Sequence, residues 1–195
     1  MKIQSQNNIN FQKNLRANCC IINNGKPEQC RIYQLDAHDK DDLRYFDRLA
    51  KNKDWTYSQL VECVDFYDEH PQGDCFVLET SRGKCLGFCE VDRKDKKEDE
   101  LFLIETMPTA AREYPDRKRR YIGETLISFL LKNARRNNKE AVRITGAVAD
   151  AWDFYGKKCG FDRCAVHEFV KRTSDADKLF EINKGHTGTE IEFIG

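Results

Sequence analysis

Apolar and polar positions divide the chain into short segments of two periods. Alternation over Cys30 to Leu35 (CRIYQL) predicts a strand, and the polar, acidic stretch Asp36 to Asp42 suits a helix start. Leu43, Phe46, Leu49 and Ala50 then recur at helical spacing. A second helix is predicted over Ser58 to Glu69, with Leu60, Val61, Val64 and Tyr67 on one side and its end set before Pro71. Cys75 to Glu79 (CFVLE) and Cys85 to Val91 (CLGFCEV) read as strands joined by the tight turn Ser81-Arg82-Gly83-Lys84, where Gly83 supplies the positive φ. The charge cluster Asp92 to Glu100 (DRKDKKEDE) is expected to be the solvated tip of the next hairpin. Leu101 to Met107 (LFLIETM) closes a three-stranded antiparallel meander.

A basic loop, Ala110 to Arg120, leads to Gly123 and an amphipathic helix with Leu126, Ile127 and Leu130 on its apolar side. Ala141 to Val148 is the next strand, expected to run parallel to Leu101–Met107 because a whole helix separates them. Helix Ala149 to Lys158 ends at Gly160, and Phe161 to Arg172 (FDRCAVHEFVKR) is the last long strand. The tail holds a short helix (Asp175 to Ile182) and a terminal strand (Glu190 to Ile194). Residues 1–29, rich in Asn, Gln and Lys around one apolar island at Cys19–Ile22, read as a flexible or loosely docked arm, with a substrate-mimicking or partner-binding arm as the alternative. The expected division is thus an arm over 1–29, a domain over 30–172 and an extension over 173–195.

Composition narrows the function. A chain of 195 residues supports one domain with a full core, and 33 basic against 33 acidic residues give zero formal charge. A global field for nucleic acid or anionic membrane is therefore absent. The nine cysteines are odd in number and lack zinc-type CxxC pairs, the N-terminus MKIQSQNNINF is too polar for a secretory leader, and no apolar run approaches a membrane span. Reduced thiols in a soluble, cytoplasmic protein are the expectation. The four histidines show no ligand spacing, so no metal is expected.

The stretch Leu101 to Ala134 organises the rest. A strand that delivers a glycine-bearing loop to a helix N-terminus is a device for holding phosphates, because the first-turn N–H groups and the positive end of the helix dipole point at an anion. Arg112, Arg117, Lys118, Arg119 and Arg120 put five cations in nine residues there. Lys118-Arg119-Arg120-Tyr121-Ile122-Gly123 resembles the Gln/Arg-x-x-Gly-x-Gly/Ala loop of the GCN5-related N-acetyltransferase (GNAT) superfamily, and the leucine pattern after Gly123 follows that family's helix. Lys118 replaces the Gln/Arg, Tyr121 replaces the first glycine, and the loop after Pro108 is longer than the family's. A second register, Arg120 to Thr125, keeps the arginine and the first glycine but misplaces the leucines. A second resemblance, Ala151-Trp152-Asp153-Phe154-Tyr155-Gly156-Lys157-Lys158-Cys159-Gly160-Phe161, matches the family's Ala-x-x-x-Tyr-x-x-x-Gly-Phe ending, with Val148 where the family often has asparagine.

The resemblance implies an α/β (α+β) fold with a mixed central sheet, an antiparallel meander followed by splayed parallel strands with flanking helices. It implies acetyl-CoA as co-substrate and no metal. The pyrophosphate would lie on Arg117, Lys118, Arg119, Arg120, Tyr121, Ile122, Gly123, Glu124 and Thr125. The pantetheine arm would pair with backbone around Glu105, Thr106 and Met107. Tyr155 would protonate the departing thiolate, a transfer from a phenol of pKa about 10 to a thiolate of about 8.5 that needs local help. The acceptor amine, with a pKa near 10.4, needs a base. Glu105, alone among apolar residues in its strand, is the first candidate and Glu90 the second. Trp55, Tyr57, Phe66 and Tyr67 are candidates to line the acceptor pocket, with packing as the other role of each.

The partner is then an amine-bearing small molecule or a protein. Nucleic acid is disfavoured by the zero charge and by the scarcity of aromatics among the arginines. A degenerate coenzyme A sensor or scaffold is the alternative, raised by the bulk of Tyr121. A covalent route through Cys159, one helical turn from Tyr155, has no histidine nearby in sequence to support it. Neither the acceptor nor the oligomeric state is fixed by these motifs.

Overall fold

Two runs with hardly a polar interruption, Asp74–Thr80 and Cys85–Asp92, form the middle of a sheet covered on both faces, which is what continuous apolar strands require. They belong to a computed structural model that describes residues 14–36, 39, 42, 44–51, 55, 73–93, 95–107, 118–179 and 190–194. The strands are β1 (Asn14–Asn23), β2 (Lys26–Leu35), β3 (Asp74–Thr80), β4 (Cys85–Asp92), β5 (Glu98–Thr106), β6 (Arg119–Arg120), β7 (Ala141–Ile144), β8 (Asp162–Ala165), β9 (Glu168–Arg172) and β10 (Ile191–Phe193). Among the described residues the α-helices are α1 (Tyr45–Ala50) and α2 (Ile122–Arg136). The sheet order is β10-β1-β2-β3-β4-β5-β7-β9-β8, with β6 paired to β1. Every pairing is antiparallel except β5 with β7.

Helix α2 lies against β4, β5 and β7. It buries Leu126, Ile127 and Leu130, as its periodicity predicts, together with Ile122, Phe129 and Leu131. Phe129 meets Phe76 of β3 edge to face at 4.9 Å, a geometry that adds to the burial of both rings. On β4, Phe88 receives Phe46 of α1 at 5.0 Å and Trp55 at 5.4 Å. The helix predicted over Ser58–Glu69, with Tyr57, Phe66 and Tyr67, lies outside the described residues. No helix among those described is long and apolar enough to cross a membrane.

Four expectations are corrected. Residues 14–29 are not a loosely docked arm. They form β1 and the start of β2, joined by Asn24-Gly25 with φ of 50° and 77°, and Ala17, Cys19 and Ile21 are buried. Both turn residues in the left-handed region match the twist of a two-residue hairpin. Asp92–Glu100 is not all solvated tip: β4 runs through Asp92, β5 starts at Glu98, and buried Asp99 lies 3.4 Å from Lys139. Phe161–Arg172 is a hairpin, β8–β9, whose turn is held by tertiary contacts rather than by turn-forming residues. Arg163 donates to the carbonyls of Ala165 and Val166, and Ala147 N–H donates to His167 O at 3.0 Å. Ala149–Lys158 is a 3₁₀ turn (Ala149–Ala151) followed by a π-helical turn (Phe154–Lys158), ended by Gly160 at φ 64°. The terminal strand is present as β10 and pairs with β1.

Candidate active site

The site begins where β5 and β7 part. Their parallel pairing covers only Glu98–Ala141, Asp99–Val142 and Glu100–Arg143, whereas β5 continues against β4 to Thr106. From Leu101 onward, among the described residues, that edge of β5 is released from β7. The pairing of β4 with β5 steps from Glu90–Leu103 to Val91–Leu101, a bulge that falls at exposed Phe102. Met107 N–H donates back to Leu86 O at 2.9 Å, so alternation aims the amide of Thr106 at the opening.

Gly87 sets how closely the next layer approaches. A Cβ there would stand 2.8 Å from the Glu105 carbonyl and 2.9 Å from Cγ2 of Ile122, so only glycine lets the start of α2 rest on β4 opposite Glu105. Sequence reasoning missed this residue; its signal is a lone glycine within an apolar strand.

At the end of the opening, α2 starts from Tyr121 in the left-handed region (φ 69°, ψ 22°), and among the described residues no side chain caps the helix. The first-turn amides of Ile122, Gly123 and Glu124 therefore lie at a helix N-terminus with its positive dipole end. Thr125 N–H already donates to Tyr121 O at 2.9 Å. Lys118 and Arg120 are exposed and make no ion pair among the described residues. Arg119 instead turns to β2, where Nε donates to Glu28 Oε2 at 2.8 Å and Nη2 to Oε1 at 3.1 Å. Glu124 is buried, 3.9 Å from Lys158. Arg112 and Arg117 lie outside the described residues.

The π-helical turn brings Tyr155 to the same place. Phe154 packs on the first turn of α2: a Cβ on Gly123 would be 2.8 Å from its Cζ, so this glycine couples the two turns. Tyr155 is buried among Phe154, Phe161 and Phe169, with ring centroids at 5.3, 6.1 and 5.8 Å. Burial pushes its phenol well above 10, with smaller upward contributions from Cys159, Glu105 and Cys89. The hydroxyl is therefore neutral at any ordinary pH. Among the described residues its hydroxyl makes no hydrogen bond. Glu105 is half-buried on the released part of β5, near enough to Tyr155 to act on its charge. Glu90 is fully buried beside Cys89. Burial raises the Cys159 thiol as well, which keeps it protonated and unreactive. Among the described residues no group of three His, Cys, Asp or Glu is placed to hold a metal.

No protein-family profile matches the sequence, and no curated protein sequence does. Solved structures do match the fold. Tetrahymena GCN5 superposes with a TM-score of 0.54 at 11% identity, over 72% of this chain and 94% of that one. Mutant forms of the spermidine/spermine N-acetyltransferase SpeG from Vibrio cholerae give 0.51 at 18% identity, over 77% and 98%. SpeG in complex with manganese ions gives 0.50 at 17%, over 80% and 97%. With the mixed sheet, its parted parallel strands and the helix that starts at the parting, these likenesses show that the chain has the fold of the GCN5-related N-acetyltransferases.

Proposed function

We propose that this chain transfers an acetyl group from acetyl-CoA to an amine, on a small molecule or a protein, by direct attack in a ternary complex. The observation that carries the reading is the convergence, at the parting of β5 and β7, of a helix N-terminus without a side-chain cap and a buried, neutral tyrosine. The residues present suit coenzyme A. Lys118, Arg120 and the first-turn amides of α2 are donors for a pyrophosphate, and the released edge of β5 offers backbone groups to the amides of a pantetheine arm. Charge-assisted hydrogen bonds of about 1.5–3 kcal/mol make two or three such contacts sufficient for a micromolar ligand once ordering costs are subtracted. Arg112 and Arg117 add to this set by sequence position.

Bound acetyl-CoA supplies an activated acyl thioester. Glu105 takes a proton from the incoming ammonium, and the nitrogen lone pair then attacks the thioester carbon. Backbone N–H groups on the open edge of β5 polarise the carbonyl. As the new C–N bond forms and the C–S bond breaks, Tyr155 gives its proton to sulfur. The second proton leaves the nitrogen as the amide forms and returns through water to Tyr155, and Glu105 releases its proton to solvent, so one proton is released overall. The raised pKa of Tyr155 keeps the proton on the phenol until the C–S bond breaks, and the thiolate released into the same desolvated site is correspondingly more basic than in water.

Steady-state rates with acetyl-CoA and an amine from a panel of polyamines, amino acids and peptides test the proposal. Intersecting double-reciprocal lines are expected, and parallel lines would contradict direct attack. Tyr155→Phe is expected to lower kcat by about 10²- to 10⁴-fold with little change in coenzyme A affinity; unchanged turnover would remove Tyr155 as the acid. A coenzyme A-binding protein without turnover is the second reading, favoured by the half-buried Tyr121 ring where the family motif has glycine. It predicts coenzyme A binding with no amine acetylated.

A further inference from the structure

The cationic loop is not carried by α2 alone. Its last two residues form β6, which pairs with β1 so that Arg120 stands opposite Ile22 and Arg119 opposite Asn23. One residue further, at the hairpin tip, Asn24 N–H donates to Lys118 O at 2.8 Å. The Arg119 guanidinium then clasps Glu28 on β2 through two donors, with each side chain 23% exposed. A bidentate, mostly buried pair is fixed in direction and little screened by salt, unlike an open surface ion pair.

Three consecutive residues are thus tied to one hairpin immediately before Tyr121. Tyr121 adopts a left-handed backbone that its side chain disfavours, and such a conformation persists only where neighbours over-determine it. On its N-terminal side β6 supplies that restraint. On its C-terminal side, Thr125 donates through both N–H and Oγ1 to the Tyr121 carbonyl. Alternation along β6 sends neighbouring side chains to opposite faces. Arg119 therefore points to Glu28, while Arg120 is left exposed beside the start of α2.

We propose that the β1–β2 hairpin is a brace that presets the phosphate-binding turn, with Glu28 and Arg119 as its positioning residues, Arg119 acting through Glu28 rather than on phosphate. This rests on the coenzyme A reading above. Its physical content is pre-organisation: a turn held in place before the ligand arrives has less freedom to lose on binding.

A double-mutant cycle with charge reversal tests it. Coenzyme A and dephospho-coenzyme A are titrated calorimetrically into the native chain, Glu28→Ala, Arg119→Ala, the double alanine variant, and the exchanged pair Glu28→Arg with Arg119→Glu, with a thermal melt of each. The brace predicts that both single variants weaken binding about equally, by roughly tenfold, and by the same factor for both ligands. It predicts that the double variant is no worse than either, and that the exchanged pair recovers most of the loss. A direct phosphate contact by Arg119 predicts the opposite pattern, with Arg119→Ala far more damaging than Glu28→Ala and no recovery on exchange; that result overturns the brace. If the exchanged pair fails to melt cooperatively, the two alanine variants decide by the equality of their losses. Native protein that binds neither ligand overturns the coenzyme A reading and the brace together, whereas native binding with a silent Glu28→Ala overturns the brace alone.

Discussion

In the proposed reaction, Tyr155 and Glu105 divide one proton-transfer problem between two environments. Three phenylalanines surround the phenol and keep it neutral, so it can only give a proton, while Glu105 sits half-buried on the released length of β5 and can take one. Glu105→Gln keeps the shape and removes the base. It is expected to lower kcat/KM by about 10²-fold near neutrality. The remaining rate should climb with pH in proportion to the free amine, up to the amine pKa near 10.4. A pH–rate profile that keeps the native shape would show that another group deprotonates the acceptor. Both positions stood out in the sequence, Tyr155 from the spacing of Ala151, Gly160 and Phe161 and Glu105 from its isolation among apolar neighbours, while their roles belong to the proposal. The destination of Arg119 was not. Its partner Glu28 is 91 positions away, in a stretch whose composition suggested an arm, and no local pattern records a contact of that range.

At the scale of elements, the site depends on how closely α2 approaches the sheet. Gly87 permits that approach, with Ile122 resting where a side chain would otherwise be. Gly87→Ala forces a methyl group against the Glu105 carbonyl and Ile122, an overpacking of about 1–3 kcal/mol. In a chain of this size that corresponds to a melting temperature lowered by roughly 3–10 °C, read by calorimetry or circular dichroism, together with weaker coenzyme A binding because the start of α2 is displaced. An unchanged melt would mean that the contact relaxes freely. The strands β3, β4 and β5 and helix α2 were legible because burial on one or both faces writes itself into apolar runs and helical periods. The β1–β2 hairpin was missed although Asn24-Gly25 is a strong two-residue turn signal; its strands alternate weakly, with polar residues on the open face. The β8–β9 turn had no such signal, since Val166 and His167 are held by Arg163 and by Ala147, in the segment after β7, rather than by their own backbone preferences.

Over the whole molecule, β1 is structural rather than appended. It lies between β2 and β10, carries β6, and buries Ala17, Cys19 and Ile21. A chain that begins at residue 30 would expose the β2 edge and strand β10 without a partner, and it is expected to lose its cooperative melt. A truncation that melts like the full chain would contradict the order β10-β1-β2 at this edge of the sheet. The function proposed for the molecule rests on one cleft, the parting of β5 and β7 closed at one end by the N-terminus of α2, and on its receiving coenzyme A. Calorimetric titration of the purified protein with coenzyme A, acetyl-CoA and dephospho-coenzyme A is the direct test. Micromolar binding of the first two is expected, with weaker binding of the third, because in the proposed site the exposed cations beside α2 would also serve the ribose phosphate. Heats no larger than dilution for all three would contradict the coenzyme A site and leave an acyltransferase fold put to another use.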